Sequence, residues 1–390
     1  MNNTHSQKSS LGDEFLFKLI QDNLKKSKAL IDPSYVGKHW ANYFSSLRAP
    51  KYLNPDYYSS FRDLSKTRLS KGFDDNATWP LTLNRLIKLL KLYSLNSIIE
   101  LTENRIGKPP FLEIANIRYN FNDLRLIYFA LQIKSNLNVA DNPIFCEIGS
   151  GYGGLAHKLK VLFPNAKILQ IDLPEAAATA TFYLKSLHPS SQILTYQDFE
   201  NHQKRGETSR SFFGNDFDFA ILPPPLLSEA PDAYFDLFVN TRSMMEMKFS
   251  AIGNYFDLIQ RKTKINGLFY NVNRYYKSTV GEPIRLRDYP YDAYWQVLLS
   301  QPSYFPPHIH ELITRRTDTR STDVQAALLN LPDQAYLCNN KFQEALTITK
   351  KVIKKFLRSL FLSPLRYVLR SKFIERPILR TAARYFSIKL

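Results

Sequence analysis

Cysteine, long apolar runs and acidic residues are all in short supply, and each shortage argues against a class of protein. Two cysteines among 390 residues, Cys146 and Cys338, are too few for a disulfide framework or a cysteine metal cluster. No run approaches about 18 apolar residues, so the sequence predicts no membrane-spanning helix. The polar start, Met1–Lys8, lacks the apolar stretch of a signal peptide, and we therefore expect a cytoplasmic protein.

The shortage of negative charge is greatest at the C-terminal end. Net charge is +17, and the segment from Lys350 onward contributes +11 through twelve Lys or Arg and one acid, Glu375. Apolar pairs at 352/353, 356/357 and 360/361 predict an amphipathic helix with a basic outer face. This pattern is typical of a helix that lies on an anionic membrane, and equally of one docked on its own domain. Nucleic acid is a weaker alternative, because the apolar stripe indicates a surface to be buried.

Glycine is also scarce, with 13 residues, yet four of them fall within six positions: Gly149, Gly151, Gly153 and Gly154. The apolar run Ile144–Ile148 precedes them and a helical pattern follows, which predicts a strand, a turn and a helix. Glycine permits φ > 0 and lets a ligand approach main-chain N–H groups, and the helix N-terminus adds free donors. We therefore predict a site for a nucleotide-like cofactor.

Two acids bear on the identity of that cofactor. The glycines also fit the dinucleotide pattern G-x-G-x-x-G, so they do not decide between cofactors. Glu147 lies where a dinucleotide-binding strand is usually apolar, and an acid there suits a cofactor with a free amino group and a cationic centre. Asp172 ends the next predicted strand, 23 residues after Gly149, where a carboxylate can accept hydrogen bonds from both ribose hydroxyls of either cofactor.

At these residues the chain resembles the S-adenosylmethionine-dependent methyltransferases. Glu147-x-Gly149-x-Gly151-x-Gly153 is similar to their first motif, and Asp172 takes the place of their ribose acid. A narrower resemblance, from roughly residue 107 to 316, is to a family of sugar O-methyltransferases of bacterial glycan clusters, and four segments carry it: Glu147–Gly154, Asp172–Glu175, Asn240–Met247 and Asn271–Arg274. The resemblance implies methyl transfer from S-adenosylmethionine to a hydroxyl of a sugar, nucleotide-sugar or lipid-linked glycan.

Strand and helix patterns alternate from residue 141 to 317, which is typical of a parallel α/β sheet. The resemblance implies that this is the Rossmann-like sheet of a class I methyltransferase. For its third strand we favour Phe217–Leu222 over a piece near Ile193–Tyr196, and we predict a helix over Ser250–Ile265. The predicted strands Trp295–Ser300 and Ile309–Arg316 flank proline turns and indicate a closing antiparallel hairpin, which favours a methyltransferase over a dinucleotide enzyme.

The rest of the chain divides by composition. We expect residues 1–10 to be unstructured and residues 11–140 to form a helical cap, in which Asn120 begins a helix. A linker at 318–349 and the basic tail at 350–390 would follow the cofactor domain. Aromatic residues of the cap, from Tyr35 to Phe61, favour core packing, with a carbohydrate-stacking surface as the alternative.

Candidate catalytic residues lie at and after the end of the fourth predicted strand, Tyr234–Asn240, because open α/β sheets hold ligands at the carboxyl ends of strands. A sugar hydroxyl is a poor nucleophile, so a base is expected to accept its proton. Asn240 is the candidate for lining the transfer site, and Glu246 for acting as base or holding the acceptor. Arg242 and Ser243 are further candidates on the acceptor loop.

A second candidate cluster is His308, His310 and Glu311 in the proposed hairpin. Alternation places the two histidines on one strand face and Glu311 on the other, and His310 is a candidate base. Two histidines and an acid are able to ligate a divalent ion, but the spacing is not a recognised metal motif, so we predict no metal site.

Two alternatives from other classes stay open. One is an NAD(P)-dependent oxidoreductase, which the same glycines permit. The other is a non-catalytic nucleic-acid-binding protein that is recruited to membranes by its basic tail.

Liposome flotation tests the basic tail. Each basic residue near an anionic surface contributes about 1 kcal/mol, so we expect the full chain to float with anionic liposomes and a chain lacking residues 350–390 to remain at the bottom. Neutral liposomes are the control. Equal flotation of the two chains would exclude a membrane role for the segment.

Overall fold

The computed structural model describes seven stretches of the chain, all within one compact unit, Met1–Ala335. These stretches are residues 4–31, 54–63, 75–102, 106–138, 141–278, 281–305 and 308–332. The basic tail at 350–390 and the part of the linker beyond residue 332 lie outside them, so the predictions for those segments stay predictions.

An eight-stranded sheet forms the centre of the described structure. Its strands are β3 (Ile144–Ile148), β4 (Lys167–Ile171), β5 (Ile193–Thr195), β6 (Phe219–Leu222), β7 (Phe235–Thr241), β8 (Thr263–Arg274), β11 (Trp295–Pro302) and β12 (Ile309–Arg316). They are arranged in the order β11-β12-β8-β7-β3-β4-β6-β5. Pairs from β8 to β5 are parallel, whereas β12 runs antiparallel to both β8 and β11.

The mostly parallel strand order confirms the Rossmann-like α/β sheet expected from the sequence, and the reversed β12 confirms the closing antiparallel hairpin. The third strand is β6, which pairs with β4 through Ile168 and Phe219, as the prediction for Phe217–Leu222 required. The alternative piece, β5, also joins the sheet, but as an edge strand beyond β6. All four residues of β6 are buried, because a central parallel strand is covered on both faces.

Helices are interleaved with the strands and also precede them. Their bounds are α1 (Thr4–Lys28), α2 (Pro55–Ser59), α3 (Asp75–Leu90), α4 (Leu95–Leu101), α5 (Phe121–Asn136), α6 (Gly154–Leu162), α7 (Pro174–Leu187), α8 (Tyr196–Lys204), α9 (Ser209–Gly214), α10 (Phe249–Lys262) and α11 (Asp323–Leu329). Two small hairpins complete the fold: β1 (Leu112–Ile114) with β2 (Ile117–Tyr119), and β9 (Tyr276–Lys277) with β10 (Ile284–Arg285). Within the described residues, no helix has the length and apolar character that a membrane crossing requires.

Helix boundaries agree with the sequence in one case and differ in two. Helix α5 begins after Asn120, whose side chain accepts from the backbone amides of residues 122 and 123, as predicted. The prediction of a helix to Ile265 is wrong, because Thr263 already pairs with Phe235 as the first residue of β8. Helix α1 begins at Thr4, inside the segment that we expected to be unstructured.

Helix α1 packs against the sheet domain through α7. Lys28 forms an ion pair of 2.6 Å with Glu175 in the first turn of α7, and Ile20 and Leu24 belong to one apolar cluster with Ala178. Tyr58 joins this cluster and is 1% exposed. Tyr58 therefore favours the packing interpretation of the aromatic residues, whereas those from Tyr35 to Tyr52 lie outside the described residues.

A fully buried ion pair joins α5 to α6. Lys158 Nζ lies 2.7 Å from Asp123 Oδ1, and the two side chains are 0% and 1% exposed. Helix α6 follows the glycine loop directly, so this pair fixes the direction in which the loop leaves β3. Removal of one partner would leave an uncompensated charge in the interior.

Lys158→Met is expected to lower the free energy of unfolding by about 3–5 kcal/mol, because Asp123 would stay buried without a counter-charge. The double variant Asp123→Asn, Lys158→Met should recover much of that loss in urea titrations. Lys204→Met is the control, since its ion pair with Glu200 is exposed and is worth about 0.5 kcal/mol. A double variant no more stable than Lys158→Met would contradict this role of the pair.

Candidate active site

The glycine loop between β3 and α6 has the backbone that its sequence predicts. Gly149, Gly151 and Gly153 have φ values of 72°, 61° and 85°, which favour glycine over any residue with a side chain. A Cβ at Gly149 would lie 2.0 Å from the hydroxyl oxygen of Ser243. The loop is therefore pressed against the segment that follows β7, and a side chain at Gly149 would separate the two.

Gly151 and Asp172 meet at the carboxyl edge of the sheet. The Gly151 amide donates to Asp172 Oδ2 at 2.6 Å, and the Leu173 amide donates to Oδ1 at 2.7 Å. A Cβ at Gly151 would have no atom of the described residues within 4 Å, so the space on this side of the loop is open in the described part of the chain. Burial raises the pKa of the Asp172 carboxyl to about 7, and the two amides oppose that rise by stabilising the ionised form.

Glu147 lies deeper than the loop and is 2% exposed. Its carboxylate accepts a hydrogen bond from the amide of Ala156, in the first turn of α6, and one of 3.4 Å from Gln170 Nε2 on β4. Burial raises the pKa of Glu147 to about 8, so the group carries a proton at neutral pH. In this structure Glu147 holds the start of α6. Sequence reasoning missed its partner Gln170, which stands out in the sequence only as a polar residue between Leu169 and Ile171 of β4.

Asn240 is fully buried, and both ends of its amide are engaged. Its Nδ2 donates to the Ile148 carbonyl at 2.8 Å and to the Ser243 hydroxyl at 2.6 Å. Its Oδ1 accepts from the Met244 amide and from Asn273 Nδ2. Asn240 thus ties the end of β3 to the loop after β7, which is a positioning role.

The network continues along β8 through two further buried asparagines. Asn273 Nδ2 also donates to Asn271 Oδ1 at 2.6 Å, and Asn273 Oδ1 accepts from the Met245 amide. Asn271 in turn donates to the Tyr291 hydroxyl. Sequence reasoning placed Asn271 and Asn273 in a motif without giving them a role. Their signal is two asparagines on one strand face that follow the apolar run Leu268–Tyr270.

The segment after β7 carries the other predicted acceptor residues. Ser243 Oγ donates to the Ile148 carbonyl at 3.1 Å, which brings it beside Gly149. Arg242 has a φ of 68°, a left-handed conformation that costs a non-glycine residue about 1–2 kcal/mol. Glu246 ends a short 3₁₀ turn, Met244–Glu246, and forms an ion pair of 3.0 Å with Lys277.

The histidine cluster predicted in the hairpin does not come together as one site. His310 is 3% exposed and lies 3.0 Å from Ser300 Oγ and 3.2 Å from the Tyr275 hydroxyl, and burial lowers its pKa to about 4. Glu311 instead accepts from the hydroxyls of Tyr128 and Tyr270. Within the described part of the chain, no three His, Cys, Asp or Glu side chains are arranged to hold a metal ion.

Glu147→Gln tests the buried acid through the pH dependence of stability. The unfolded chain loses this proton near pH 4.5 and the folded chain near pH 8, so the stability that the wild-type group contributes is full below pH 4.5 and lost by pH 8. Glutamine does not titrate, so the variant does not lose stability in this way. The free energy of unfolding of the variant minus that of the wild type should therefore rise with pH, by up to about 1.4 kcal/mol per pH unit.

Urea titrations at pH 5, 6, 7 and 8 measure the difference. Glu113→Gln is the control, because Glu113 is exposed on the β1–β2 hairpin and should show no such trend. A Glu147→Gln difference that is constant with pH would show that the carboxyl is ionised in the folded protein.

The chain matches no family model and no curated protein. Among solved structures it is similar to mitomycin 7-O-methyltransferase MmcR, with 15% identity, a TM-score of 0.30, and coverage of 50% of this chain and 57% of the other. It is also similar to a geranyl diphosphate methyltransferase in complex with SAM (12% identity, TM-score 0.33, coverage 51% and 88%). A third similar structure is human N-acetylserotonin methyltransferase in complex with SAM (14% identity, TM-score 0.29, coverage 50% and 56%).

Proposed function

We propose that this chain is an S-adenosylmethionine-dependent O-methyltransferase that acts on a hydroxyl of a sugar, nucleotide-sugar or lipid-linked glycan. The observation that carries the proposal is the Gly151 amide beside the Asp172 carboxylate, with open space above it, at the carboxyl edge of a sheet that contains a reversed strand. The sugar class rests on the resemblance of the segments Asn240–Met247 and Asn271–Arg274.

The residues around the loop fit a nucleoside cofactor. Each Asp172 oxygen accepts one amide hydrogen bond and retains a lone pair for a ribose hydroxyl. Ser150 Oγ is buried in the loop and has no hydrogen-bond partner among the described residues, so it is able to bind a polar group of the cofactor. Gly149, Gly153 and Glu147 hold the loop in this shape. When bound, S-adenosylmethionine supplies the activated methyl group.

The role of this chain in the reaction is to align the acceptor hydroxyl and accept its proton. Alignment of two reactants is worth up to about 7–11 kcal/mol in favourable cases. Glu246 stays the predicted base, because it is the carboxylate on the segment that follows the loop-contacting Ser243. Asn240 and His310 are better suited to positioning, because an amide is not a base at neutral pH and both ring nitrogens of the buried His310 are engaged within the protein.

The rival oxidoreductase is less well supported. A dinucleotide-binding sheet is built from parallel strands, whereas β12 is antiparallel and lies between β11 and β8. The strand before a dinucleotide-binding loop is also usually apolar, whereas the strand before this loop contains Glu147, a buried acid that is bonded to Gln170. Parallel titrations with NADH and S-adenosylhomocysteine separate the two cofactors.

Calorimetry with S-adenosylhomocysteine tests the cofactor site. We expect the wild type to bind, and Asp172→Ala to bind at least about tenfold more weakly, because two ribose hydrogen bonds are lost. Gly151→Val should abolish binding, since its side chain would enter the open space above the amide.

Gly206→Val is the matched control for the glycine substitution. Gly206 also has a positive φ, 75°, and open space around its Cβ position, but it follows the end of α8 and not β3. This variant should lose stability and keep its affinity for S-adenosylhomocysteine. Unchanged affinity in Asp172→Ala or Gly151→Val would count against the site.

A further inference from the structure

Four basic side chains near the carboxyl edge of the sheet have buried nitrogen atoms without a hydrogen-bond partner among the described residues. These atoms are Nε of Arg125, Arg242 and Arg274 and Nε2 of His308. Buried donors in folded proteins are almost always paired. Several orphans in one region therefore indicate a ligand that supplies the acceptors.

The register of three neighbouring strands brings Arg242, Arg274 and His308 together. The Arg242 amide donates to the Val272 carbonyl on β8 at 2.7 Å, and Arg274 lies two residues further along that strand. Arg274 pairs with Ile309 at the start of β12, and His308 directly precedes Ile309. The three side chains thus follow β7, end β8 and precede β12 at the same edge.

Two further arginines approach this edge from the helical cap. Arg85 donates from Nη1 to the Phe121 carbonyl at the start of α5, and Arg125 lies one turn further along the same helix. Arg85 also stacks over the ring of Phe305, which lies shortly before β12. We call these five residues the arginine cluster: Arg85, Arg125, Arg242, Arg274 and His308.

The charges of the arginine cluster act on one another. Burial, then Arg242 and Arg85, lower the pKa of Arg125 well below its usual range. Burial and then Arg242 lower the pKa of Arg85 to about 9. Burial, then Arg274 and Arg242, lower the pKa of His308 to about 4, so this imidazole is neutral at pH 7. The cations are close enough to repel one another, and burial weakens the screening that water would provide.

Negative charge in the described structure does not balance this excess. Glu246 is the acid that acts on Arg242, and it already forms an ion pair with Lys277. The described residues whose charges act on Arg85, Arg125 and Arg242 therefore include one carboxylate, Glu246, which Lys277 shares. An acceptor with a single carboxylate would neutralise one of them, whereas a diphosphate brings two or more charges and several acceptor oxygens.

We propose that the arginine cluster binds a diphosphate group of the methyl acceptor. This proposal rests on the proposed function, and it narrows the acceptor to a nucleoside diphosphate-sugar or a lipid diphosphate-linked glycan. Arginine suits the role because its planar fork donates to two phosphate oxygens at once. The neutral His308 would donate one further hydrogen bond.

The arginine cluster also lies beside the proposed cofactor loop. Arg242 directly precedes Ser243, whose hydroxyl contacts the Cβ position of Gly149. Tyr152 belongs to the glycine loop, and its hydroxyl opposes the lowering of the pKa of Arg125 by burial and by the other arginines. A diphosphate held here would therefore place the attached sugar next to the loop.

Binding of inorganic pyrophosphate, measured by calorimetry on the full chain without cofactor, tests the proposal. The wild type should bind, and Arg125→Met and Arg242→Met should each bind at least tenfold more weakly. Arg261→Met is the matched control, because Arg261 lies at the end of α10 on the opposite edge, pairs with Asp232, and should leave binding unchanged. Sulfate at equal ionic strength controls for general screening.

Thermal melts separate a ligand-binding role from a structural one. Arg125→Met removes a cation whose buried Nε has no partner among the described residues, so it should raise the melting temperature of the unliganded protein while abolishing stabilisation by pyrophosphate. A lower melting temperature with unchanged pyrophosphate affinity would show a structural role and overturn the proposal. Absence of pyrophosphate binding by the wild type would overturn it as well.

Titration with S-adenosylhomocysteine distinguishes this proposal from the proposed function. Both arginine variants should bind S-adenosylhomocysteine like the wild type. Loss of that binding would show that the arginine cluster holds the carboxylate of the cofactor and not a diphosphate. Pyrophosphate binding without S-adenosylhomocysteine binding would support the anion site and count against the methyltransferase.

Competition experiments then identify the source of the diphosphate. Uridine diphosphate and farnesyl diphosphate are each titrated against bound pyrophosphate. The compound that displaces it at the lower concentration indicates a nucleotide-linked or a lipid-linked acceptor. Failure of both to displace it would contradict a diphosphate site for the acceptor.

Discussion

The amide of Asn240 is the constraint on which the carboxyl edge of this sheet depends. The Asn240 side chain bonds the end of β3, the turn after β7 and, through Asn273, the end of β8. Apart from the half-buried Ser243, the residues that carry these groups are buried, so a misplaced neighbour would leave an unpaired polar group in the interior. This cost selects one arrangement of the three strand ends, and that arrangement holds Gly149 against Ser243.

Local patterns in the sequence were enough to predict the sheet and the loop. Apolar runs such as Ile144–Ile148 and Ile309–Arg316 mark strands, and clustered glycines mark a turn with positive φ. The end of α10 was missed because residues 263–265 continue a helical pattern, and only their pairing with β7 makes them a strand. Pairings over long distances in the chain, such as Asn240 with Asn273, have no local signal.

The two halves of the site have opposite electrostatic characters. Under the loop, burial keeps the acid Glu147 protonated, so the floor of the proposed cofactor site adds no charge at neutral pH. Beyond the turn after β7, arginines from four separate parts of the chain lie at one region, and Glu246, the acid that acts on Arg242, is already paired with Lys277. No stretch of sequence displays this second feature, because Arg85 and Arg242 come close to each other only in the fold.

The left-handed Arg242 has a consequence for how two ligands would bind. It is adjacent to Ser243, so a single peptide unit is shared by the residue that contacts the glycine loop and the residue directed to the anion. Any shift of this unit is transmitted to both neighbours. Occupancy of one site would then change the affinity of the other, and by thermodynamic reciprocity the change would be equal in either order of addition.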